Sequence, residues 1–185
     1  IWTIVPTITN KNLPLDLIEA LAWGSNLDWG FNKHPPVSAF FPEVFFQIFG
    51  AQDWAYYFLS SLFVVISFYF VFKVADEILL SKLLSLFSVL VLEAIYFYNF
   101  TTPEFNVNVC QLPFWSLVVY FSWKIYSSKK IKFSYCFFIG LFGAIGFLSK
   151  YLFAYLLVSI FIFLIYLIFF KKDRKFDFKY FITLE

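Results

Sequence analysis

Five long apolar stretches, separated by short polar connections, fill most of the chain after residue 53. They lie at about 54–73, 83–99, 109–126, 133–149 and 151–170. A helix needs roughly 17–25 apolar residues to cross a bilayer, and each stretch has about that length. The pattern therefore predicts an all-α fold, a polytopic bundle of five transmembrane helices.

Residues 1–53 differ from the rest, because proline and glycine interrupt each apolar run before it reaches the length of a span. Two pieces, 13–23 and 37–49, still look amphipathic. In the second piece Phe41, Phe45 and Phe49 recur at helical i, i+4 spacing. We expect a first loop, residues 1–53, that carries short helices lying at the membrane interface.

Composition agrees with a membrane protein and excludes several other classes. Hydrophobic residues make up 62% of the chain, aromatic residues 26%, and the mean hydropathy is +0.79, all above what a soluble domain needs. The net charge of +2 is too small to indicate nucleic acid as a partner. Cys110 and Cys136 are expected near opposite ends of neighbouring helices, too far apart for a disulfide.

The basic residues predict an orientation. All but three of the 14 Lys and Arg residues fall on one side of the membrane when the five stretches alternate in direction. Cytoplasmic loops carry the excess of Lys and Arg, so that side is cytoplasmic and includes residues 171–185. Lys11, Lys33 and Lys150 then lie outside. The chain begins without Met, and we expect it to be an N-terminal fragment that lacks its first helix and its later portion.

The first outer loop contains two sets of side chains that could carry chemistry. Asp16 and Glu19 are three residues apart and share a helix face, so one carboxylate can act while the other tunes it or binds substrate. Alternatively, Asp16 is a charge favoured by the helix dipole after Pro14. Lys33 and His34 precede two prolines that stiffen the chain, which suits a phosphate site. Alternatively, Lys33 contacts lipid headgroups.

Polar residues of the other outer connections are expected on the same membrane face. Glu104, Asn106 and Asn108 come at the mouth of the third span, where a plain capped turn would need fewer of them. Lys150 follows a glycine-rich helix and breaks the charge rule, although snorkelling alone also explains it. Glu93 lies within a span, where a carboxylate is either functional or hydrogen-bonded inside the bundle.

At these residues the chain resembles the multi-pass glycosyltransferases of the family 39 type that use lipid-linked sugars. This is the protein-mannosyltransferase-like and aminoarabinose-transferase-like group with the GT-C fold. The similarity covers most of the chain, and its phrases follow the family's order. They are Asp16-x-x-Glu19-Ala-x-x-x-Gly24, Trp29-Gly30-Phe31-x-Lys33-His34-Pro35-Pro36, Phe49-Gly50, Thr102-Pro103-Glu104-Phe105-Asn106-x-Asn108 and Leu148-Ser149-Lys150-Tyr151.

The resemblance implies transfer of a sugar from a polyprenyl-phosphate donor to a glycan, lipid or protein acceptor at the outer face. The displacement would invert the anomeric carbon, with Asp16 as the base and Glu19 beside it. Two departures from the family's pattern bear on this assignment. Leu17 stands where many relatives have a second acid, and His34 replaces the usual first proline.

The resemblance also assigns the other outer residues and the location. It implies that Lys33, His34 and Lys150 hold the donor phosphate, and that Glu104, Asn106 and Asn108 line the sugar or acceptor pocket. It implies no cofactor and assigns no metal ligand, and a requirement for a divalent metal stays open. The expected location is the inner membrane of a bacterial cell envelope, with the active site facing the periplasm.

A secondary transporter or lipid flippase is the alternative function. It predicts broken helices, charges at mid-membrane and an internal repeat. This sequence has continuous apolar stretches with charges at their rims and no obvious repeat. A purely structural membrane subunit is a third reading, but it leaves the outer acidic, basic and amide residues without a role.

Overall fold

The computed structural model describes residues 1–128 and 132–170, and every regular element in these residues is helical. The predicted cytoplasmic segment 171–185 lies outside the described residues. The helices are α1 (Ile4–Thr9), α2 (Leu15–Gly24), α3 (Val37–Phe49), α4 (Asp53–Leu79), α5 (Lys82–Glu93), α6 (Val107–Ser127), α7 (Phe133–Ser149) and α8 (Ala154–Phe170). A π-helical turn (Phe97–Thr101) precedes α6, and a 3₁₀ turn (Tyr151–Phe153) precedes α8.

The two amphipathic pieces of the first segment form α2 and α3. Each helix begins directly after a proline, Pro14 or Pro36, whose fixed φ suits a helix start and whose missing N–H is not needed there. Gly24 lies in the contact between the two helices. A Cβ at this position would come 2.7 Å from the carbonyl oxygen of Ala39, so only glycine lets the helices approach this closely.

Among the described residues α4 is the one helix that is both long and apolar enough to cross a membrane, judged by length and composition. It extends beyond the predicted end at residue 73 and includes Glu77. Glu77 accepts hydrogen bonds from the Trp123 indole at 3.1 Å and from the Lys124 ammonium. These contacts on α6 stabilise the last turns of α4.

The second apolar stretch is not one continuous helix, contrary to the predicted span at 83–99. Helix α5 ends at Glu93, and the backbone continues into the π-helical turn before α6. The side-chain amide of Asn99 donates to the backbone oxygen of Glu93 at 3.1 Å. This bond satisfies a carbonyl at the helix end, which makes the interruption tolerable in an apolar environment.

Helix α6 lies at the centre of the bundle and packs against α4 on one side and α7 on the other. The buried core is rich in aromatic rings and includes Leu17 of α2, so the outer helices share the core of the bundle. Helix α3 also contacts both α4 and α7. This packing holds α2 and α3 over the N-terminal end of α6, where the candidate site forms. The core residues are Leu17, Tyr56, Leu59, Phe63, Phe105, Val109, Cys110, Phe114, Leu117, Val118 and Phe153.

Candidate active site

One face of α2 forms a wall of a small pocket, about 20 Å³ in volume, at the end of the bundle where α6 begins. Its residues follow the i, i+3, i+4, i+7 pattern of a single helix face. The opposite wall comes from the connection before α3, from α3 itself and from the start of α6. The lining residues are Asp16, Glu19, Ala20 and Trp23 on the first wall, with His34, Ser38, Asn106 and Val107 opposite. The two predicted carboxylates therefore share the pocket with His34 and Asn106.

His34 is held by a closed turn and by aromatic rings. The Phe31 N–H donates to the His34 carbonyl oxygen at 3.3 Å, and the two prolines that follow are buried. The Trp23 ring stacks on Phe31 at 5.2 Å between centroids and meets the His34 imidazole edge-on at 6.1 Å. The imidazole therefore has a defined direction toward the pocket.

Two lysines of the predicted phosphate site, Lys33 and Lys150, act electrostatically on His34, although neither of them lines the pocket. Burial lowers the pKa of His34 below its ordinary value, and the charges of Lys150 and Lys33 lower it further. Asp16 and Glu19 act on the pKa of the same imidazole in the opposite direction. Lys33 and Lys150, far apart in the sequence, thus lie within electrostatic reach of one side chain.

Glu19 lines the pocket and forms an ion pair with Lys33. Both of its carboxylate oxygens accept hydrogen bonds from the Lys33 ammonium, at 2.8 and 3.0 Å. The hydrogen bond and the charge of Glu19 raise the pKa of Lys33 above its ordinary value. Asp16 in the first turn of α2 lines the pocket without an ion pair among the described residues.

Asn106 and Asn108, the two predicted amides at the start of α6, have different roles in the structure. Asn106 is the N-cap, because its side-chain oxygen accepts the N–H groups of Asn108 at 2.8 Å and Val109 at 3.2 Å. Asn106 also lines the pocket, whereas Asn108 accepts a hydrogen bond from the Lys150 ammonium. Asn108 therefore holds a lysine and does not line the pocket in this structure.

The ends of α6 and α7 are joined beside Lys150 by a second contact. The Cys110 thiol donates to the Ser149 hydroxyl at 3.4 Å, and both side chains are fully buried. Cys110 and Cys136 are free thiols. This contact fixes the short connection at Ser149 and Lys150 against α6. The backbone that carries the Lys150 side chain is therefore held in place beside the start of α6.

Glu104 stays away from the pocket, although the sequence led us to expect it there. Its side chain is exposed and makes no hydrogen bond or ion pair with the described residues, whereas its backbone N–H donates to the Thr101 carbonyl oxygen at 3.2 Å. The reason lies two residues earlier, where Thr102 is buried and its carbonyl oxygen accepts a hydrogen bond from the Ser60 hydroxyl. This anchor to α4 fixes the connection and leaves Glu104 facing outward.

The sequence left two roles open for Glu93, a functional one and a hydrogen-bonded one inside the bundle. The structure shows it hydrogen-bonded. Its carboxylate accepts a hydrogen bond from the Trp2 indole at 3.3 Å. It lies at a separate cavity of about 220 Å³, bounded by residues 1–3, by α4 and by the π-helical turn with the residues that follow it. This cavity shares none of the residues that line the pocket around Asp16.

Sequence reasoning did not include Trp23 and Ser38 among the site residues. Trp23 is seven residues after Asp16 and four after Glu19, so the helical period alone could have found it. Ser38 gives no such signal. It is buried, and its hydroxyl donates to the Pro35 carbonyl oxygen at 3.1 Å, which fixes the start of α3 beside the pocket.

No metal site is evident in the part of the chain that the structure describes. Within residues 1–128 and 132–170, no group of three or more His, Cys, Asp or Glu side chains is placed to hold an ion. The chemistry that these residues offer is proton transfer by carboxylates and binding of an anion by lysines and the helix start.

The helical fold and the apolar helices are those of a helical membrane bundle. The family model described as dolichyl-phosphate-mannose-protein mannosyltransferase matches residues 33–183, and the chain belongs to this family. The resemblance drawn from the sequence is thereby confirmed. Asp16 and Glu19 precede the matched residues. No curated protein and no solved structure matches the chain at a significant level.

Proposed function

We propose that this protein transfers a sugar from a polyprenyl-phosphate donor to an acceptor at the outer face of the membrane. The observation that carries the proposal is the pocket itself. In a chain of this family, it combines a carboxylate, Asp16, with an imidazole, His34, on which two outer lysines act electrostatically. These are the groups that an inverting displacement from a phosphate leaving group needs.

In the proposed reaction Asp16 is the base. Its carboxylate takes the proton of the acceptor hydroxyl as the oxygen attacks the anomeric carbon. The bond between that carbon and the phosphate oxygen breaks, and its electron pair leaves with the polyprenyl phosphate. The exposed position of Asp16 in the first turn of α2 is consistent with access for an acceptor from outside the membrane.

The positive groups of the pocket stabilise the leaving phosphate. Negative charge grows on the phosphate as the glycosidic bond breaks, so preorganised cations there lower the barrier. Lys150, held by Asn108, supplies one such cation. The N-terminus of α6, capped by Asn106, adds the partial positive charge of a 21-residue helix.

An apolar groove between α4 and α6 is suited to the isoprenoid chain of the donor. Its volume is about 570 Å³, and all but a few of its lining side chains are apolar. A polyprenyl chain has no polar group that a groove must satisfy, and inside a bilayer it can pack in such a groove by van der Waals contact. The lining residues are Ser67, Phe70, Val71, Val74, Ala75, Ile78, Leu79, Tyr98, Gln111, Leu112, Trp115, Ser116 and Val119.

The distribution of Lys and Arg supports the outward orientation of the pocket. We propose that the protein lies in the cytoplasmic membrane of a cell and that Lys33 and Lys150 face the outside. Family membership favours sugar transfer over the transporter or flippase alternative. The acceptor is a glycan, lipid or protein that reaches the outer surface.

The test uses the full-length protein in proteoliposomes with polyprenyl-phosphate sugars and follows the release of polyprenyl phosphate. Asp16→Asn keeps the shape of the side chain and removes the base, so transfer is expected to be abolished while donor binding stays near that of the wild type. Glu104→Gln is the matched control, because it removes the charge of an exposed carboxylate outside the pocket. Full transfer by Asp16→Asn together with its loss in Glu104→Gln would move the base to the connection before α6.

A further inference from the structure

The two outer lysines near His34 are held by partners of different charge. Lys33 donates to both carboxylate oxygens of Glu19, whereas Lys150 donates to the neutral amide of Asn108. An amide oxygen orients an ammonium group without cancelling its charge. A carboxylate orients it and also neutralises it. In this structure the charge of Lys150 is therefore available to an anion, and that of Lys33 is balanced.

The ion pair between Glu19 and Lys33 is exposed, so another anion can replace the Glu19 carboxylate as the partner of Lys33. Its side chains are 33% and 59% exposed, respectively. Exposed ion pairs contribute little net stability, because water and salt compete with both partners. A phosphate group that enters the pocket offers the Lys33 ammonium a second anion with several acceptor oxygens, and can displace the carboxylate.

We propose that Glu19 is a positioning residue that acts as an exchangeable counter-ion of Lys33. It keeps the ammonium at the rim of the pocket while the pocket is empty and yields it to the phosphate of the lipid donor. After transfer it recaptures Lys33 and thereby promotes the release of the polyprenyl phosphate product. This inference rests on the proposed function, since it concerns the phosphate that the same pocket would bind.

Glu19→Gln tests the inference through binding of polyprenyl phosphate, the product without its sugar, to the full-length protein in nanodiscs. The variant is expected to bind this lipid more tightly, by about twofold to fivefold, which is the range that loss of an exposed ion pair supports. Turnover should fall and product inhibition should rise, because release is slower. Asp28→Asn removes the same charge from an exposed residue of the same loop and is expected to change neither value.

A double-mutant cycle separates a role through Lys33 from a general charge effect. In a Lys33→Met background, Glu19→Gln is expected to leave the affinity for polyprenyl phosphate unchanged. The same gain in affinity with and without Lys33 would mean that Glu19 repels the phosphate directly, and the inference would be wrong.

The outcomes also distinguish this inference from the proposed function. If Lys33→Met weakens lipid binding but Glu19→Gln leaves it unchanged or weakens it, the counter-ion role is excluded and the phosphate site stands. If neither Lys33→Met nor Lys150→Met alters lipid binding and Asp16→Asn retains transfer, the proposed function itself is excluded.

Discussion

Gly146 of α7 lies directly under the ring of Phe153, which belongs to the 3₁₀ turn that follows. A Cβ at position 146 would come 2.7 Å from Cδ2 of Phe153 and closer still to two other ring atoms. Phe153 is fully buried in the core of the bundle. The absence of a side chain at Gly146 is therefore what allows the chain to reverse at Lys150 and the 3₁₀ turn to pack against α7.

We predict that Gly146→Ala destabilises the protein and that Gly140→Ala, on the same helix, does not. A methyl group at position 146 must push the buried ring aside, and overpacking of this kind typically costs about 1–3 kcal/mol. At position 140 a Cβ meets nothing within 4 Å, so the better helix propensity of alanine makes the change neutral or slightly stabilising. Thermal unfolding in detergent measures both, and equal stability of the two variants would contradict the packing described above.

Donor binding should depend on both lysines near the pocket. Charge-assisted hydrogen bonds to a phosphate are stronger than neutral ones, so Lys33→Met and Lys150→Met should each weaken donor binding, by roughly tenfold or more. Lys11→Met removes an exposed cation of the same segment that, unlike Lys33 and Lys150, is not among the charges acting on His34, and little change is expected. Binding of a polyprenyl-phosphate sugar to protein in nanodiscs provides the measurement. A loss of similar size in all three variants would indicate a general effect of outer charge.

The titration of His34 reports the proximity of Lys150. His34 is the one histidine among the 185 residues, and burial followed by the charges of Lys150 and Lys33 lowers its pKa below 6.5. Lys150→Met removes one positive charge and should raise the pKa of His34 toward 6.5, whereas Lys11→Met should leave it unchanged. NMR of protein labelled at histidine gives these values, with His34→Gln to assign the signal. An unchanged pKa of His34 in Lys150→Met would mean that the two side chains do not lie close together.

Because the pKa of His34 is lowered, a fall in pH should change stability and anion binding in opposite directions. Because the folded state holds the proton of His34 less tightly than the unfolded state, stability from this residue is present above about pH 6.5 and falls as the pH drops through the folded pKa. Protonation over that interval adds a positive charge to the pocket. The sugar donor is a phosphodiester that keeps its single negative charge over this interval, so its binding should tighten with falling pH in the wild type and do so less in His34→Gln.

The orientation is tested by labelling of single cysteines in a background without Cys110 and Cys136. Cysteines at Asn32 and Thr101 should react only with impermeant reagent added from outside, and one at Ser127 only from the cytosol. All three positions are exposed, whereas Thr102 in the same connection is buried and would be a poor reporter. Labelling of Ser127 from outside would reverse the orientation inferred from the Lys and Arg residues.

The sequence by itself determined the class of protein and the pieces from which the site is built. Continuous apolar stretches require helices in a membrane, because lipid offers no partner for unpaired backbone groups. Pro14 and Pro36 marked the starts of α2 and α3, and the helical period placed Asp16 and Glu19 on one face. These features depend on neighbours within one or two turns, which a sequence states directly.

The tertiary structure decided which of the polar residues meet. Only the packing of α6 against α7 brings Asn108 to Lys150, and only the anchoring of Thr102 on α4 turns Glu104 away from the pocket. The pairing of Glu19 with Lys33 likewise depends on how the chain between α2 and α3 folds back. Such contacts join distant positions through the shape of the core, so no local period or spacing in the chain records them.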